Sequence, residues 1–525
     1  MNGKFFKYIF LVFVVGILIF ASYKAKQKSN VEIKQENNIQ GQLNSYESTE
    51  INLGIAAFDN MNPIISNNKY VQEISKLIFD SLLNLDETYK IQTGLAKDWA
   101  KTSSNTYVIK LKDNVYWSNG EKFTATDVKF TIDKIKELGG VYSANVGNIT
   151  NVEIVDSYTI KINLEHEQNF FEYNLTFPIL SKANYGENSL DSVTPLGTGM
   201  YQISKQEGNL IKLEKNEKWW NKSVKDPILD EVNITLFSSV GEYYNAFKLG
   251  QIDLVVSNNT NIEEYIGTLG YNKKEFKGRE FDFLVINTQN DLLSNIEVRK
   301  AINYAINKDS IIGNVYNNKY FRTKYPLDFG SWLYSGNSDS EYNIDLARST
   351  LEESGWEYKY KYWQRYENYV TKRLSFSLLV RNSNAQMVQT AELIQTQLEE
   401  LGLRINLVKA GDSQYENAVI NKAYDLALFG KNISANPDIS TYVSGDNFAN
   451  YENQEIDQIL EETKNITDEK VLKEKYSRIE AIYYDEQPYI SLYNNYNVVA
   501  YSTSLRGNIT SNWYNIFYNF ENWHK

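Results

Sequence analysis

The sequence predicts an α/β protein with mixed sheets flanked by helices, and three observations support this fold class. The stretch Gly94–Ile135 changes from the two-residue apolar period of a strand to the spacing of a helix. Farther along, an apolar strand at Ser375–Val380 precedes an amphipathic helix at Gln386–Leu401 and a second strand at Leu403–Val408. That order favours parallel pairing through a right-handed crossover. The length of 525 residues indicates two or three domains.

The first of these stretches is interpreted as a strand, a turn and a capped helix. Apolar side chains alternate at Tyr107, Ile109 and Leu111, as in a strand with one buried face. After an Asn-Gly turn, Thr124 stands three residues before Asp127, which predicts a helix N-cap with a capping-box partner. The helix face that points to the core is then defined by Val128, Thr131, Ile132 and Ile135.

The remaining elements follow from the same two periods. Strands are predicted at Ile51–Ala57, Phe283–Asn287 and Tyr424–Phe429, and a hairpin at Val152–Asn163. Helices are predicted through Val71, Ile74, Ile78 and Leu82, at Ile296–Ile312, and at Asp345–Trp356.

The composition excludes several classes of function. With no cysteine, the chain cannot form a disulfide, a thiolate nucleophile, a zinc–thiolate site or an iron–sulfur site. Two histidines are too few for a histidine metal cluster, and a net charge of −12 argues against a general nucleic-acid binder. The Gly197–Gly199 pair precedes a hairpin and no helix, so no phosphate loop is predicted. The usual hydrolase and nucleotide motifs are missing, although a two-carboxylate hydrolase stays open.

The N-terminus carries a run without charge from Tyr8 to Tyr23, with lysines on both sides. With its flanks, this run is about long enough to span a bilayer. No small-x-small cleavage site follows it, which favours an uncleaved anchor at 1–23 over a cleaved signal peptide. Residues 24–48 are rich in Lys, Gln, Asn, Glu and Ser and are predicted to be a flexible tether.

Two long motifs identify a family resemblance. The first runs LAKDW, a strand, then LKDNVYWSNGEKFTATDVKFTI, and the second is TPLGTGMYQISKQEGNLIKLEKNEKWW at Thr194–Trp220. Their order resembles the signature of the family 5 extracellular solute-binding proteins, the peptide, dipeptide and nickel receptors of ABC importers. Lys112 stands for the usual Arg, Trp117 for Phe, Met200 for Pro and Trp219 for Tyr.

The resemblance covers Ile51 to about Tyr501 and implies a particular architecture. It is a two-lobed periplasmic-binding-protein-like fold of the class II type, with an extra N-terminal subdomain. Lobe I is expected at 49–83, 194–283 and 488–525, the small extra subdomain at 84–193, and lobe II at 284–487.

The resemblance also implies where the ligand would be held. Arg381 corresponds to an arginine that binds the ligand carboxylate in dipeptide receptors. The loop Gly430–Asp438 corresponds to the one that holds a peptide amine through an aspartate, but here Lys431 replaces a tryptophan. The aspartate position falls on Ser434 or, with a gap, Ile433, so the usual anchoring of a free amine is in doubt.

Two further places complete the expected site. Asn67–Tyr70 corresponds to a segment whose backbone pairs with extended peptides, and Tyr142 to an aromatic wall residue. The expected ligand-binding residues are therefore Asn68, Lys69, Tyr142, Arg381, Lys431, Asn432, Ser434 and Asp438.

The function implied is that of an extracytoplasmic substrate-binding protein of an ABC transporter, anchored on the outer face of the cytoplasmic membrane. It would close two lobes over an oligopeptide-like ligand and deliver it to the permease, as a monomer, without cofactor, metal or catalysis. The alternatives are a receptor of the same fold for a metal chelate or oligosaccharide, a cell-surface signalling or adhesion module, and a hydrolase.

Overall fold

The structure is a computed structural model that describes residues 49–186, 190, 193–258, 261–336 and 341–525. The predicted anchor at 1–23 and tether at 24–48 lie outside these residues. No helix within the described ranges is both long and apolar enough to cross a membrane.

The part of the chain before residue 287 contains short helices and mostly antiparallel strands. The strands are β1 (Glu50–Ala56), β2 (Leu83–Leu85), β3 (Ile91–Thr93), β4 (Ala96–Ser103), β5 (Thr106–Leu111), β6 (Ile149–Asp156), β7 (Thr159–Leu164), β8 (Tyr201–Glu207), β9 (Leu210–Lys215), β10 (Glu231–Phe237), β11 (Leu254–Ser257) and β12 (Tyr271–Ile286). The helices are α1 (Lys69–Ile74), α2 (Ala125–Leu138), α3 (Ser143–Val146), α4 (Lys182–Tyr185), α5 (Val240–Lys248) and α6 (Glu263–Ile266).

The part after residue 287 is richer in helix. Its strands are β13 (Phe321–Arg322), β14 (Glu357–Lys359), β15 (Tyr362–Glu367), β16 (Val370–Arg373), β17 (Ser375–Arg381), β18 (Arg404–Ala410), β19 (Leu426–Asn432) and β20 (Tyr489–Ser502). Its helices are α7 (Ile296–Ala305), α8 (Lys308–Tyr316), α9 (Ile344–Glu353), α10 (Ala385–Leu401), α11 (Asp412–Ile420), α12 (Ser440–Val443), α13 (Gln454–Thr463) and α14 (Glu469–Glu486).

Two four-stranded sheets organise the first part of the chain. One has the order β1-β10-β9-β8, with β1 parallel to β10, and the other is the antiparallel β4-β5-β7-β6. Both contribute to one hydrophobic core. The predicted cap of α2 is confirmed, because the Asp127 Oδ2 accepts the Thr124 backbone N–H at 2.9 Å. The same carboxylate accepts the Lys182 backbone N–H at 2.9 Å, so it also ties a later loop to this helix.

A seven-stranded mixed sheet, in the order β11-β20-β12-β19-β17-β18 with β13 beside β20, organises the second part. β17 is parallel to both β18 and β19, which confirms the predicted parallel pairing of β17 with β18. Successive residues of β12 enter different cores: Leu284 and Ile286 face one side of the sheet, and Phe283 and Val285 face the other. The sheet is therefore covered by helices on both faces.

The long strands β12 and β20 connect the two parts of the molecule. They pair from Tyr271–Ser502 beside β11 to Val285–Tyr489 beside β19, with register shifts after Lys277 and Asp282. The sequence predicted the apolar end of β12 at Phe283–Asn287 and did not predict β20 as a strand. The preceding segment of β12 is charged and half-exposed, so it does not show the alternation by which strands are recognised.

The helix predicted at Ile296–Ile312 is wrong as one element, because α7 and α8 are separate helices. Ile306 adopts an extended conformation, and the Asn307 side chain accepts the Ser310 backbone N–H at 2.9 Å to start α8. An asparagine N-cap competes effectively with helix continuation.

The helix predicted through Ile78 and Leu82 is also too long, because α1 ends at Ile74. The Gly199 N–H donates to the Ile78 carbonyl at 2.8 Å, and a Cβ at Gly197 would lie 1.8 Å from the same oxygen. The chain continues from α1 as a 3-10 turn at Ser75–Leu77. The glycine pair then lets the backbone at 197–199 pass directly against Ile78.

Candidate functional site

The most promising site is an open cavity of about 720 Å³ at the carboxyl ends of β17 and β19. In open α/β sheets, ligands bind in the crevice outside the carboxyl ends of parallel strands. The N-terminus of α10 and the second half of α11, from Tyr415 to Ile420, also border this cavity. Its wall includes Glu280, Asp282, Tyr316, Tyr320, Arg381, Asn384, Gln386, Met387, Tyr415, Glu416, Val419, Ile420, Phe429, Gly430, Lys431, Asn432 and Phe448.

Two acidic residues on β12 form part of the cavity wall. Asp282 is half-buried and stands opposite Gly430 on β19, where a Cβ would lie 2.6 Å from the Asp282 Oδ1. Burial, together with repulsion from Glu280, raises the pKa of Asp282 to about 8. A hydrogen bond from Tyr493 opposes this rise and is the weaker effect. Burial also raises the pKa of Glu280, against the attraction of Lys69. Asp282 is therefore mostly protonated at neutral pH.

A tyrosine network borders Asp282, whose cross-strand partner on β20 is Tyr493. The Tyr493 hydroxyl lies 2.9 Å from the Tyr316 hydroxyl and 2.9 Å from the Thr390 Oγ1. The ring of Tyr320 lies 3.9 Å, centroid to centroid, from the ring of Tyr316. These contacts give the cavity a rigid aromatic wall next to the carboxyl group.

Lys431 brings a positive charge to the same cavity. Its Nζ lies 3.9 Å from the centre of the Phe448 ring, and burial lowers the pKa of the ammonium group. No carboxylate among the described residues forms an ion pair with it. A lysine held over an aromatic ring and without a counter-ion can accept a ligand anion. The neighbouring Asn432 also borders the cavity and pairs with Glu280 across the two strands.

Arg381 is at the cavity, as expected from the sequence, but its charge is already compensated. Its Nη1 lies 2.9 Å from the Asp412 Oδ1 and its Nη2 lies 3.4 Å from the Glu416 Oε1. Its guanidinium also stacks 4.8 Å from the Tyr415 ring centre. A ligand carboxylate at Arg381 would compete with two protein carboxylates.

The loop after β19 has its polar side chains engaged within itself. The Asp438 Oδ1 accepts the Ser440 backbone N–H at 2.9 Å, and the Ser434 Oγ accepts the Asn436 backbone N–H at 3.1 Å. Ile433 is buried. None of Ile433, Ser434 and Asp438 borders the cavity of Arg381 and Lys431.

A second, smaller cavity of about 170 Å³ lies beside β1 and α1 and includes Lys69 in its wall. Burial lowers the pKa of Lys69, and the attraction of Glu280 opposes this change. Lys69 borders this smaller cavity and Glu280 borders the larger one. The Asn68 side chain has a structural role. Its Oδ1 accepts the Tyr70 N–H at 2.9 Å, and its Nδ2 donates to the Ala56 carbonyl at 2.8 Å.

Tyr142 is placed apart from these two cavities. Its hydroxyl donates to the Gln72 Oε1 at 2.6 Å, and its ring borders a third cavity of about 490 Å³. The structure therefore brings Arg381, Lys431 and Asn432 together, places Lys69 near them, and leaves Tyr142, Ser434 and Asp438 elsewhere.

The sequence reasoning missed Glu280, Asp282, Tyr316 and Tyr320. One signal was available: two acids two residues apart, directly before the apolar strand end, lie on one face of a strand. No group of three or more potential metal-binding side chains occurs in the described ranges.

Comparison with known proteins gives a consistent result. The family model described as "Bacterial extracellular solute-binding proteins, family 5 Middle" matches residues 90–453, more than half of the chain. The oligopeptide-binding protein AppA of Bacillus subtilis is 24% identical over 474 residues, covering 85% of this chain and 86% of AppA. The heme-binding protein A of Haemophilus influenzae is 24% identical over 471 residues, covering 82% of this chain and 83% of that protein.

Solved structures show the same fold. The structure titled as a nickel ABC transporter from Bacillus halodurans has a TM-score of 0.76 at 20% identity, covering 90% of this chain and 99% of that one. HbpA2 from Haemophilus parasuis has a TM-score of 0.74 at 19% identity, covering 90% of this chain and 99% of HbpA2. At these identities the likeness establishes the fold and nothing about the ligand.

Proposed function

Because the chain belongs to the family 5 bacterial extracellular solute-binding proteins, we propose that it binds an oligopeptide-like ligand between two lobes and delivers it to an ABC permease. The observation that carries this proposal is the cavity at the carboxyl ends of β17 and β19, which has aromatic walls and charges of both signs. Its volume lies within the range usual for ligand sites.

The charges in the cavity suit a ligand with a positive and a negative end. Asp282 and Glu280 would receive a protonated amine or guanidinium, in place of the loop aspartate that this chain lacks. Lys431 would receive a carboxylate, and Arg381 is a second candidate for that role. Tyr316 and Tyr320 would form the apolar wall between them.

This assignment predicts that binding is coupled to a proton. A cation next to Asp282 lowers its pKa, so binding near neutral pH releases the proton that Asp282 holds. Affinity for a cationic ligand should therefore increase from pH 6 to about pH 8 and then level off. The other charged groups at the cavity are Glu280, Arg381, Glu416 and Lys431.

The remaining expectations belong to this proposal. The family is extracellular, and the N-terminal run would fix this member to the outer face of the cytoplasmic membrane. Asn68, Lys69, Tyr142, Ser434 and Asp438 stay candidates for ligand contact after lobe closure. We expect a monomer that performs no catalysis.

Native mass spectrometry of the gently purified protein, followed by denaturation, tests the ligand class. A series of released peptide masses is expected. Isothermal titration should then show that a released peptide binds, and that the same peptide with an acetylated amine binds at least about tenfold more weakly. Equal affinity of the two peptides would contradict the role of Asp282 and Glu280.

The matched variants are Asp282→Asn, at the cavity, and Asp133→Asn, on the exposed face of α2. Asp282→Asn should weaken binding of the free-amine peptide and leave binding of the acetylated peptide unchanged. Asp133→Asn should change the affinity for neither peptide.

A receptor for a non-peptide solute is the second candidate, because Lys431 and Ser434 depart from the peptide-binding pattern. A single released non-peptide mass would support it. A protein that carries no ligand and binds no peptide would favour the signalling or adhesion alternative.

A further inference from the structure

A small sheet far from the cavity exposes an unusual number of tyrosines. This sheet consists of the antiparallel strands β14, β15 and β16 over residues 357–373, and we call it the meander. Five of its tyrosines are exposed: Tyr358, Tyr360, Tyr362, Tyr366 and Tyr369. Tyr360 and Tyr369 are 85% and 92% exposed, so these rings make almost no contact within the protein.

The meander is held firmly by its inner face. Trp363 is buried, and its Nε1 donates to the Leu401 carbonyl at 2.7 Å, at the end of α10. The Arg365 guanidinium lies 4.8 Å from the centre of the Trp356 ring. The exposed tyrosines therefore stand on a fixed platform.

Side-chain alternation and strand pairing define the outer face. Trp363 points inward, so Tyr362 and Tyr366 point outward. Lys359 pairs with Tyr362 across the strands, and Thr371 pairs with Tyr366. The outer face therefore combines aromatic rings, a basic side chain and small polar groups.

Both turns of the meander place a tyrosine at positive φ. Tyr360 and Lys361 have φ of 55° and 70°, and Asn368 and Tyr369 have φ of 51° and 63°. Two-residue hairpin turns of this kind prefer Asn-Gly, and a bulky residue at positive φ has a conformational cost. Stability alone would select glycine at 369, so the exposed rings call for a functional explanation.

The meander differs in charge from the rest of the protein. Residues 357–373 contain five basic side chains, Lys359, Lys361, Arg365, Lys372 and Arg373, and two acidic ones, Glu357 and Glu367, which gives 5 − 2 = +3. The whole chain has a net charge of −12. A local positive surface on an acidic protein indicates an anionic partner.

We propose that the meander docks on the anionic lipid headgroups of the membrane bilayer. Tyrosine is enriched at the membrane–water interface, and each nearby basic side chain adds attraction to anionic lipid. The predicted anchor at 1–23 would place the protein at a bilayer, and 25 residues from Lys24 to Ser48 could extend about 85 Å. The tether is therefore long enough for the folded part to lie on the membrane.

The position of the meander has a consequence for the ligand cavity. The cavity borders the N-terminal end of α10 at Asn384, and the meander packs at its C-terminal end beside Gly402. The 17 residues of α10 separate these ends by about 25 Å. Docking through the meander therefore contacts lipid at a distance from the cavity, and this role is independent of the proposed solute binding.

The test uses the full chain reconstituted into vesicles, with one introduced cysteine. Because the chain has no cysteine, Thr371→Cys on the outer face can be labelled alone with a polarity-sensitive fluorophore. In vesicles of phosphatidylcholine with phosphatidylglycerol, the fluorophore's emission should shift to the blue and be quenched by brominated lipid. Both effects should diminish as salt is added. The same label at Ser143→Cys, an exposed position at the start of α3 and outside the meander, should show neither change.

The combination Tyr366→Ser with Tyr369→Gly should abolish the shift at position 371, while Tyr342→Ser, an exposed tyrosine elsewhere, should not. Glycine removes the positive-φ strain at 369, so an unchanged melting temperature would show that the fold is intact. Equal shifts in pure phosphatidylcholine, no shift in either vesicle, or a shift only with an added acidic polysaccharide would each overturn the proposal.

Discussion

At the scale of single residues, Asp282 is the group whose surroundings depart most from what its sequence position suggests. An aspartate in a charged segment is usually a solvated residue. Here it is placed over Gly430, next to Tyr493 and near Glu280, and its pKa rises to about 8. Only the pairing of β12 with β19 and β20 produces this environment.

Asp282 should therefore make stability depend on pH. Below its unfolded pKa the carboxyl is protonated in both states and has no effect. Between that pKa and about 8 the unfolded state loses the proton and the folded state keeps it, so the destabilisation grows with pH and levels off above about 8. Thermal unfolding of Asp282→Asn relative to wild type should show an advantage that increases from pH 4 to pH 8.

Glu416→Gln is the matched control, because Glu416 is an exposed carboxylate on another wall of the same cavity. Glu416→Gln removes a carboxylate that lies 3.4 Å from the Arg381 Nη2, so comparing the two variants separates the effect of Asp282 from that of losing any carboxylate at the cavity. A pH-independent difference for Asp282→Asn would show that its carboxyl is ionised in the folded protein.

At the scale of elements, boundaries were less predictable than the elements themselves. The strand at 106–111, the helix at 125–138 and the β17-α10-β18 crossover follow from periodicity and caps. The break between α7 and α8 does not interrupt the apolar period, so periodicity predicted one helix. Its cause is a local one, the Asn307 side chain that starts α8.

Asn307→Ala should test that explanation. Loss of an asparagine N-cap costs about 1 kcal/mol of unfolding free energy, within a range of about 0.5–2 kcal/mol. Asn314→Ala, in the exposed middle of α8, should be near neutral or slightly stabilising because alanine favours helix. Urea unfolding of both variants measures the difference, and equal effects would contradict a capping role for Asn307.

At the scale of the whole molecule, the pair β12 and β20 joins the four-stranded sheet region to the seven-stranded sheet region. The register shifts after Lys277 and Asp282 interrupt its ladder close to the cavity. Interruptions of this kind locally bend and twist a strand pair. They are the positions where we expect the two lobes to hinge around a ligand.

Small-angle scattering on a fragment that begins at Gln42 tests this expectation. A peptide released from the native protein should lower the radius of gyration at saturation, since closure brings the two lobes together. Asp282→Asn at the same peptide concentration should keep the larger radius, because it binds less peptide. An unchanged radius in a calorimetrically saturated wild-type sample would exclude closure as the binding mechanism.

The sequence by itself determined the fold class, the family and the order of most elements. Periodicity, caps and the two long motifs are local properties of the chain, so they can be recognised without knowledge of tertiary contacts. Arg381 and Lys431 came from the family resemblance, which implies ligand contacts at these positions.

Only the tertiary structure decided which side chains share a cavity and with what charge. Asp282 and Lys431 are 149 positions apart, and they meet because β12 and β19 are neighbours in the sheet. Asp438 is near Lys431 in sequence, but its carboxylate caps the Ser440 backbone N–H and so stays with its own loop. The chemistry of this site depends on distances through space and on burial, and neither is a local property of the sequence.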